Sequence, residues 1–145
     1  MADYAGAVAA MRARFVAAFT QAPIAFQNEK PPATPWPPAS PWVYFEVIET
    51  DTQMRGVGLP GNKVWLTLGN IFVHVFAPKG YGLADHLAIA KAAGDVFRAA
   101  TFYDSDPGAR VTCFGPSVRG GDSNADDGNA FALTVTIPFE FFFNA

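Results

Sequence analysis

Alternation of hydrophobic residues with a period of two predicts the longest strand of the chain, over residues 64–77 (VWLTLGNIFVHVFA). Its two faces differ, because one is aliphatic and the other mixes aromatic rings with an imidazole. Gly69 followed by Asn70 marks a bulge or a tight hairpin within this run, and we favour the bulge. The aliphatic face consists of Ile71, Val73 and Val75, and the mixed face of Phe72, His74 and Phe76.

Shorter apolar or alternating runs predict further strands. These runs are residues 24–28, 42–50 (WVYFEVIET), 111–114 and 131–143 (FALTVTIPFEFFF). The first is short enough to be an edge piece, and residues 53–61 form a glycine-rich connector or a short strand. Because Pro138 has no N–H, we expect its donor side to be unpaired, at an edge or at a bulge.

Apolar residues recur at helical spacing in two segments, which predicts helices over residues 3–20 and 83–97. Pro23 closes the first, and the turn 78–82 (PKGYG) precedes the second, where Asp85 suits the helix start. The stripes expected to face the sheet are Tyr4, Val8, Met11, Phe15 and Phe19 in the first helix, and Leu83, Leu87, Ala90, Gly94 and Phe97 in the second.

Two segments follow neither period. Six prolines between Pro31 and Pro41 exclude a helix or a central strand and predict an extended arm or loop. Residues 115–129 form a polar loop with several glycines, long enough to expect function or disorder. The order of elements predicts one α+β domain over residues 1–145, with a mostly antiparallel sheet packed against two helices and an extended proline-rich arm.

The charge of the chain is unevenly placed. Residues 104–127 carry five aspartates against two arginines, and the remainder balances eight acids with eight bases, so the net charge of -3 lies in that stretch. This distribution provides no basic surface for nucleic acid. No run reaches transmembrane length, and the N-terminus lacks the pattern of a signal peptide, so we expect a soluble intracellular protein without a membrane partner.

A glycine motif and a calcium-like motif both lack essential parts. Gly56, Gly58 and Gly61 spell the dinucleotide fingerprint, but a strand rather than a helix follows, so no helix N-terminus would hold a pyrophosphate. Asp122, Asn124 and Asp126 match the opening of a calcium loop. However, Asp127 occupies the glycine position and Leu133 the position of the bidentate glutamate.

Catalytic residues are not indicated either. His74 and His86 have no second histidine at metal-ligand spacing, and the single cysteine, Cys113, lies in an apolar strand. We therefore expect no enzyme activity, no metal and no cofactor. Trp36 and Trp42 in the proline-rich arm are candidates for contact with a partner. An arm that wraps on its own or a neighbouring subunit is the favoured interpretation.

Several segments together resemble the tail terminator (tail completion) proteins of long-tailed bacteriophages. They are the N-terminal helix, PIAFQNE, the proline-rich lead into WVYFEV, the LGNIFVHVFAPKGYG element with its helix, and ALTVTIPFEFFF. A pattern of apolar residues and glycines carries the resemblance, and Trp65 and Thr67 stand where many relatives have a basic residue. The pattern is formed by Gly69, Ile71, Val73, Val75, Phe76, Pro78, Gly80 and Gly82.

The resemblance implies an α+β subunit of a homohexameric ring on the last ring of the tail tube. Such a ring stops tube growth and offers a surface to the head connector. It would be assembled in the host cytoplasm and reside at the head-proximal end of the virion tail. From charge alone, Asp122, Asp126 and Asp127 are candidates to line a lumen through which DNA slides without specific binding.

Two alternatives remain open. A neck or stopper protein that joins head and tail would have the same size and class. A cytoplasmic small-molecule-binding domain is the alternative of a different class, with Phe72, Phe76, Phe139 and Phe141 lining a cavity.

Overall fold

The part of the chain that the structure describes contains two helices and eight strands. The structure, a computed structural model, describes residues 1–30, 38–120, 126–127 and 130–145. The helices are α1 (Tyr4–Ala18) and α2 (Ala84–Asp95). The strands are β1 (Ile24–Phe26), β2 (Trp42–Gly56), β3 (Val64–Ala77), β4 (Thr101–Phe102), β5 (Arg110–Cys113), β6 (Ser117–Gly120), β7 (Asp126–Asp127) and β8 (Ala130–Asn144).

All eight strands belong to one mixed sheet. Its order is β1-β2-β3-β8-β5-β4, and β6 and β7 also pair with β8. The pairing of β1 with β2 is parallel, and the other described pairings are antiparallel. The chain is therefore an α+β protein whose long strands β2, β3 and β8 form the middle of the sheet. The proline-rich arm predicted between Pro31 and Pro41 lies mostly outside the described residues.

The irregularity predicted at Gly69 is present, but the extra residue belongs to the neighbouring strand. β3 pairs without interruption along β8. In β2 the register shifts between Glu49, opposite Gly69, and Asp51, opposite Leu68, so Thr50 is the extra residue. β2 then continues to Gly56, well past the predicted end at residue 50, because its polar second half pairs with β3 through backbone groups.

Pro138 lies in an interior strand, so the prediction of a sheet edge was wrong. Its carbonyl accepts a hydrogen bond from the N–H of Phe114 at 2.9 Å. The nitrogen of the proline therefore faces the same side, where β5 has ended and β6 has not begun. Cys113 lies opposite Phe139 and Ser117 lies opposite Thr136, so a four-residue advance on one side matches a three-residue advance along β8. This irregularity lies opposite the missing N–H of Pro138, in agreement with the predicted bulge.

Both helices pack on one face of the sheet, which we call the core face. The side chain of Asp3 caps α1 by accepting a hydrogen bond from the N–H of Gly6 at 2.8 Å. From α1, the ring of Phe15 stacks on Phe45 of β2 at 5.0 Å and on Phe97 at 6.0 Å. The predicted stripe of α1 thus faces the core, where its most buried members are Met11, Phe15 and Phe19.

The buried stripe of α2 agrees with the prediction in part, since Ala90, Gly94 and Phe97 are buried as expected. Leu83 and Leu87 are 47% and 40% exposed, and His86 is buried in their place. Small residues in this stripe allow close approach of the helix, since a Cβ atom at Gly94 would lie 2.9 Å from the ring of Pro116. The buried residues of this helix are His86, Ala90, Ala93 and Gly94.

The segment 115–129, predicted as a polar loop, contains two short strands. β6 and β7 both pair with β8, so part of this segment extends the sheet. Backbone pairing holds these strands, and their residues show no hydrophobic alternation from which they could have been predicted. The two-residue strand β4, which pairs with β5, was likewise not predicted.

Candidate functional site

Aromatic rings cover the face of the sheet opposite the helices, which we call the outer face. His74 lies at their centre, with ring centroids 6.1 Å from Tyr44, 6.1 Å from Phe72 and 6.5 Å from Phe76. Trp42 continues the row, 4.7 Å from Phe76. Each of these side chains is half-buried. The outer face is therefore largely aromatic around the imidazole of His74.

That polar group joins three strands through hydrogen bonds. Nε2 of His74 lies 2.6 Å from Oε1 of Glu46 in β2, and Nδ1 lies 3.0 Å from Oγ1 of Thr134 in β8. Both ring nitrogens therefore have a partner, and the ring orientation is held from both sides. His74 is therefore a packing residue that links neighbouring strands. In the part of the chain that the structure describes, no group of three histidine, cysteine or acidic residues has metal-binding geometry.

Two buried polar side chains have no hydrogen-bond partner among the described residues. One is His86 of α2, which is 4% exposed and whose ring centroid lies 5.7 Å from that of Phe131. Neither of its ring nitrogens has a hydrogen-bond partner among the described residues. Nε1 of Trp42 is the other such atom.

The single cysteine is unsuited to nucleophilic chemistry. Cys113 is buried against the core face. Burial raises the pKa of its thiol from 9.0 to about 12, and the charge of Arg14 opposes that shift only in part. Because the thiolate is the reactive form, this thiol is inert at neutral pH. Its burial confirms the prediction of a small hydrophobic residue in an apolar strand.

Among the described residues, one edge of the sheet is open over much of its length. β1 pairs with β2 only from Val43 to Phe45, and the N–H of Val47 donates to Oε1 of Gln27 at 2.9 Å. Among the described residues, no strand pairs with the outer edge of β2 from residue 48 to Gly56. An open edge presents unpaired backbone groups to a partner strand.

Five of the exposed large apolar side chains lie in or next to the turns at the two ends of β3. At its start, the turn that follows β2 exposes Val57 by 94% and Leu59 by 79%. At its end, the turn before α2 exposes Tyr81 by 75%, next to Leu83 and Leu87. β3, which lies between the two clusters in the chain, is about 43 Å long. We call them the hairpin tip (Val57, Leu59) and the helix-start cluster (Tyr81, Leu83, Leu87).

The candidate interaction residues from the sequence do not form one described site. Trp42 lies on the outer face, whereas Trp36 and Asp122 fall outside the described residues. Asp126 and Asp127 form β7, where they pair with Phe131 and Ala130 of β8.

The aromatic cavity of the small-molecule alternative is contradicted. Phe139 and Phe141 are buried on the core face, whereas Phe72 and Phe76 belong to the outer face. Because opposite residues of an antiparallel pair share a face, these four rings cannot line one cavity.

The glycine motif lies in a connection between strands. Gly56 ends β2, and Gly61 precedes β3 in a turn, so a strand follows the motif as predicted. Neither the hairpin tip nor the helix-start cluster was predicted from the sequence as a contact surface. Val57, Leu59 and Tyr81 are large apolar residues flanked on both sides by glycine or proline, and Leu83 directly follows Gly82. A turn exposes them.

Comparison with known proteins finds a similar fold but indicates no function. No family model matches the chain, and no curated protein matches it. A solved structure whose name carries no functional term superposes with a TM-score of 0.58 at 18% sequence identity. The match covers 92% of this chain and 94% of that one. At this identity the similarity concerns the fold alone. Separately, none of the described helices is long and apolar enough to cross a membrane.

Proposed function

We propose that this chain is a structural tail terminator of a phage or phage-like particle, which caps the tail tube as a hexameric ring. The ring stops polymerisation of the tube and provides the interface for the head connector. In this proposal, each subunit is built on a mostly antiparallel sheet and contacts its neighbours through an extended proline-rich arm. Its location is the head-proximal end of the tail.

The observation that carries the proposal is the position of the two exposed apolar clusters. A terminator ring touches the tube on one side and the neck on the other, so each subunit needs contact surfaces at opposite ends. The hairpin tip and the helix-start cluster lie at opposite ends of β3. Large exposed apolar patches mark sites of protein–protein interaction. The resemblance in the sequence supports the same assignment.

The experiment is negative-stain microscopy of particles from a host in which this gene is disrupted, compared with complemented controls. We expect tubes of uncontrolled length and unattached heads. Tubes of normal length with unattached heads would instead favour a neck or stopper protein. Normal tails on normal heads would overturn both assignments, and ligand screening by melting temperature would then test the small-molecule alternative.

A matched pair of variants tests the apolar ends. We expect Val57→Ser combined with Leu59→Ser to fail in complementation, because the hairpin tip loses its apolar contact. Val16→Ser is the control, since Val16 is 54% exposed on α1 and belongs to neither cluster. Equal complementation by both variants would remove the hairpin tip from the proposal.

The acidic residues are proposed to face the lumen of the ring. Charge reversal of Asp122, Asp126 and Asp127 should slow DNA ejection, because a positive lumen would hold the phosphate backbone. Unchanged ejection in assembled particles would contradict this role of the aspartates and leave the terminator assignment standing.

A further inference from the structure

Two edges on opposite sides of the sheet are open among the described residues. One is the second half of β2, from residue 48 to Gly56. The other is β6, which pairs with β8 on one side and whose four residues are all exposed. We propose that β6 of one copy pairs with the open half of β2 of the next copy, so that successive copies form one continuous sheet. This inference rests on the proposed ring.

Strand directions fit this pairing. β2 and β8 run in the same direction because both are antiparallel to β3, and β6 runs opposite to β8. A second copy placed with its β2 beside β6 therefore makes an antiparallel pair while keeping its own strands in the original direction. Copies related in this way are heterologous, so they generate a closed ring or an open filament.

Side-chain charges select the register. Arg119 lies opposite Thr134, and Asp51 lies opposite Leu68, which places both charges on the outer face of the sheet. Both side chains are exposed. Opposite charges directly across a strand pair are favourable, so the register that sets Arg119 beside Asp51 of the next copy is preferred.

This register also gives a geometry that can close. Within one copy, Asp51 lies opposite Leu68, which in turn lies opposite Glu140 of β8. Arg119 lies opposite Thr134, which is six residues before Glu140 along β8. Pairing Arg119 with Asp51 of the next copy therefore shifts that copy by about 20 Å along the strand direction. Across the sheet, the distance from β2 of one copy to β2 of the next is four strand spacings, or about 19 Å. The strands then tilt by about 45° to the axis, close to the tilt of about 35–45° in closed sheets.

Disulfide cross-linking tests the pairing directly. The variant combines Asp51→Cys with Arg119→Cys, and it is oxidised both as purified protein and in assembled particles. We expect a ladder of covalent multimers on non-reducing gels, because each copy then carries one partner on each edge. Cys113 is buried and does not contribute. The matched control is Thr52→Cys with Arg119→Cys, since residue 52 points to the other face of β2.

Three results would overturn the pairing: no ladder in either preparation, an equal ladder in the control, or dimers alone. Dimers alone would indicate a symmetric β2–β2 contact. The outcome is separable from the terminator assignment. A ladder together with normal particles after gene disruption would retain the continuous sheet and reject the terminator role. Abnormal tails without a ladder would retain the terminator role and reject the continuous sheet.

Discussion

Gly69 lies directly opposite Phe139 in the pairing of β3 with β8, and the ring of Phe139 covers the position that a side chain at Gly69 would occupy. A Cβ atom there would lie 2.5 Å from the carbonyl oxygen of Ile48 and 2.7 Å from the ring of Phe139. The glycine therefore allows an aromatic ring to fill the core beside the bulge at Thr50.

Replacement of this glycine should destabilise the fold. We expect Gly69→Ala to lower the free energy of unfolding by roughly 1–3 kcal/mol, because the added methyl group meets backbone as well as a ring. Gly115→Ala is the control, since nothing lies within 4 Å of a Cβ at that position. Thermal or urea unfolding measures both. Equal midpoints for the two variants would contradict the close approach at Gly69.

The core depends on the ring of Phe15, which is fully buried between β2 and the end of α2. We expect Phe15→Ala to lower the free energy of unfolding by roughly 3–5 kcal/mol, because it removes apolar burial and leaves a cavity. Val16→Ala at the neighbouring exposed position should change stability by less than about 0.5 kcal/mol. Urea denaturation of both variants distinguishes burial from any general effect of substitution in α1.

The contact between His74 and Glu46 should be visible as an energetic coupling. We expect Glu46→Ala to cost roughly 1–3 kcal/mol of stability, because the imidazole loses a charged partner on the half-buried outer face. In the background of His74→Phe the same substitution should cost less. A double-mutant cycle by chemical denaturation measures the difference. Additive effects of the two substitutions would show that the 2.6 Å contact contributes nothing to stability.

Alkaline pH should destabilise the protein through Cys113. Its pKa is raised from 9.0 to about 12 in the folded chain, mainly by burial. The folded state therefore keeps a proton that the unfolded state releases, so stability is full below about pH 9 and falls as the pH rises toward about 12. We expect Cys113→Val to lack this component of the decline. Unfolding midpoints measured across that range, compared between the two proteins, provide the check. Parallel profiles would exclude the thiol as the source.

Periodic patterns predicted the main elements correctly, since they arise from local geometry. The stripe of Met11, Phe15 and Phe19 identified α1, and the alternation around Ile71 identified β3. Elements held mainly by backbone pairing escaped prediction, namely β4, β6 and β7. The second half of β2 was expected only as a glycine-rich connector or a short strand over residues 53–61. For the candidate site, the sequence named Trp42 but missed Val57, Leu59 and Tyr81, whose exposure depends on where the turns project.

The sequence by itself determined the α+β class, the long central strand and the small buried cysteine, because hydrophobic periodicity and composition act locally. Only the tertiary structure decided which faces and edges meet. It separated Phe72 from Phe139, placed Pro138 inside the sheet, and buried His86 in place of Leu87. These outcomes depend on strand register and on the close approach of α2 at Gly94, which involve residues distant in the chain. Local patterns carry no information about such contacts.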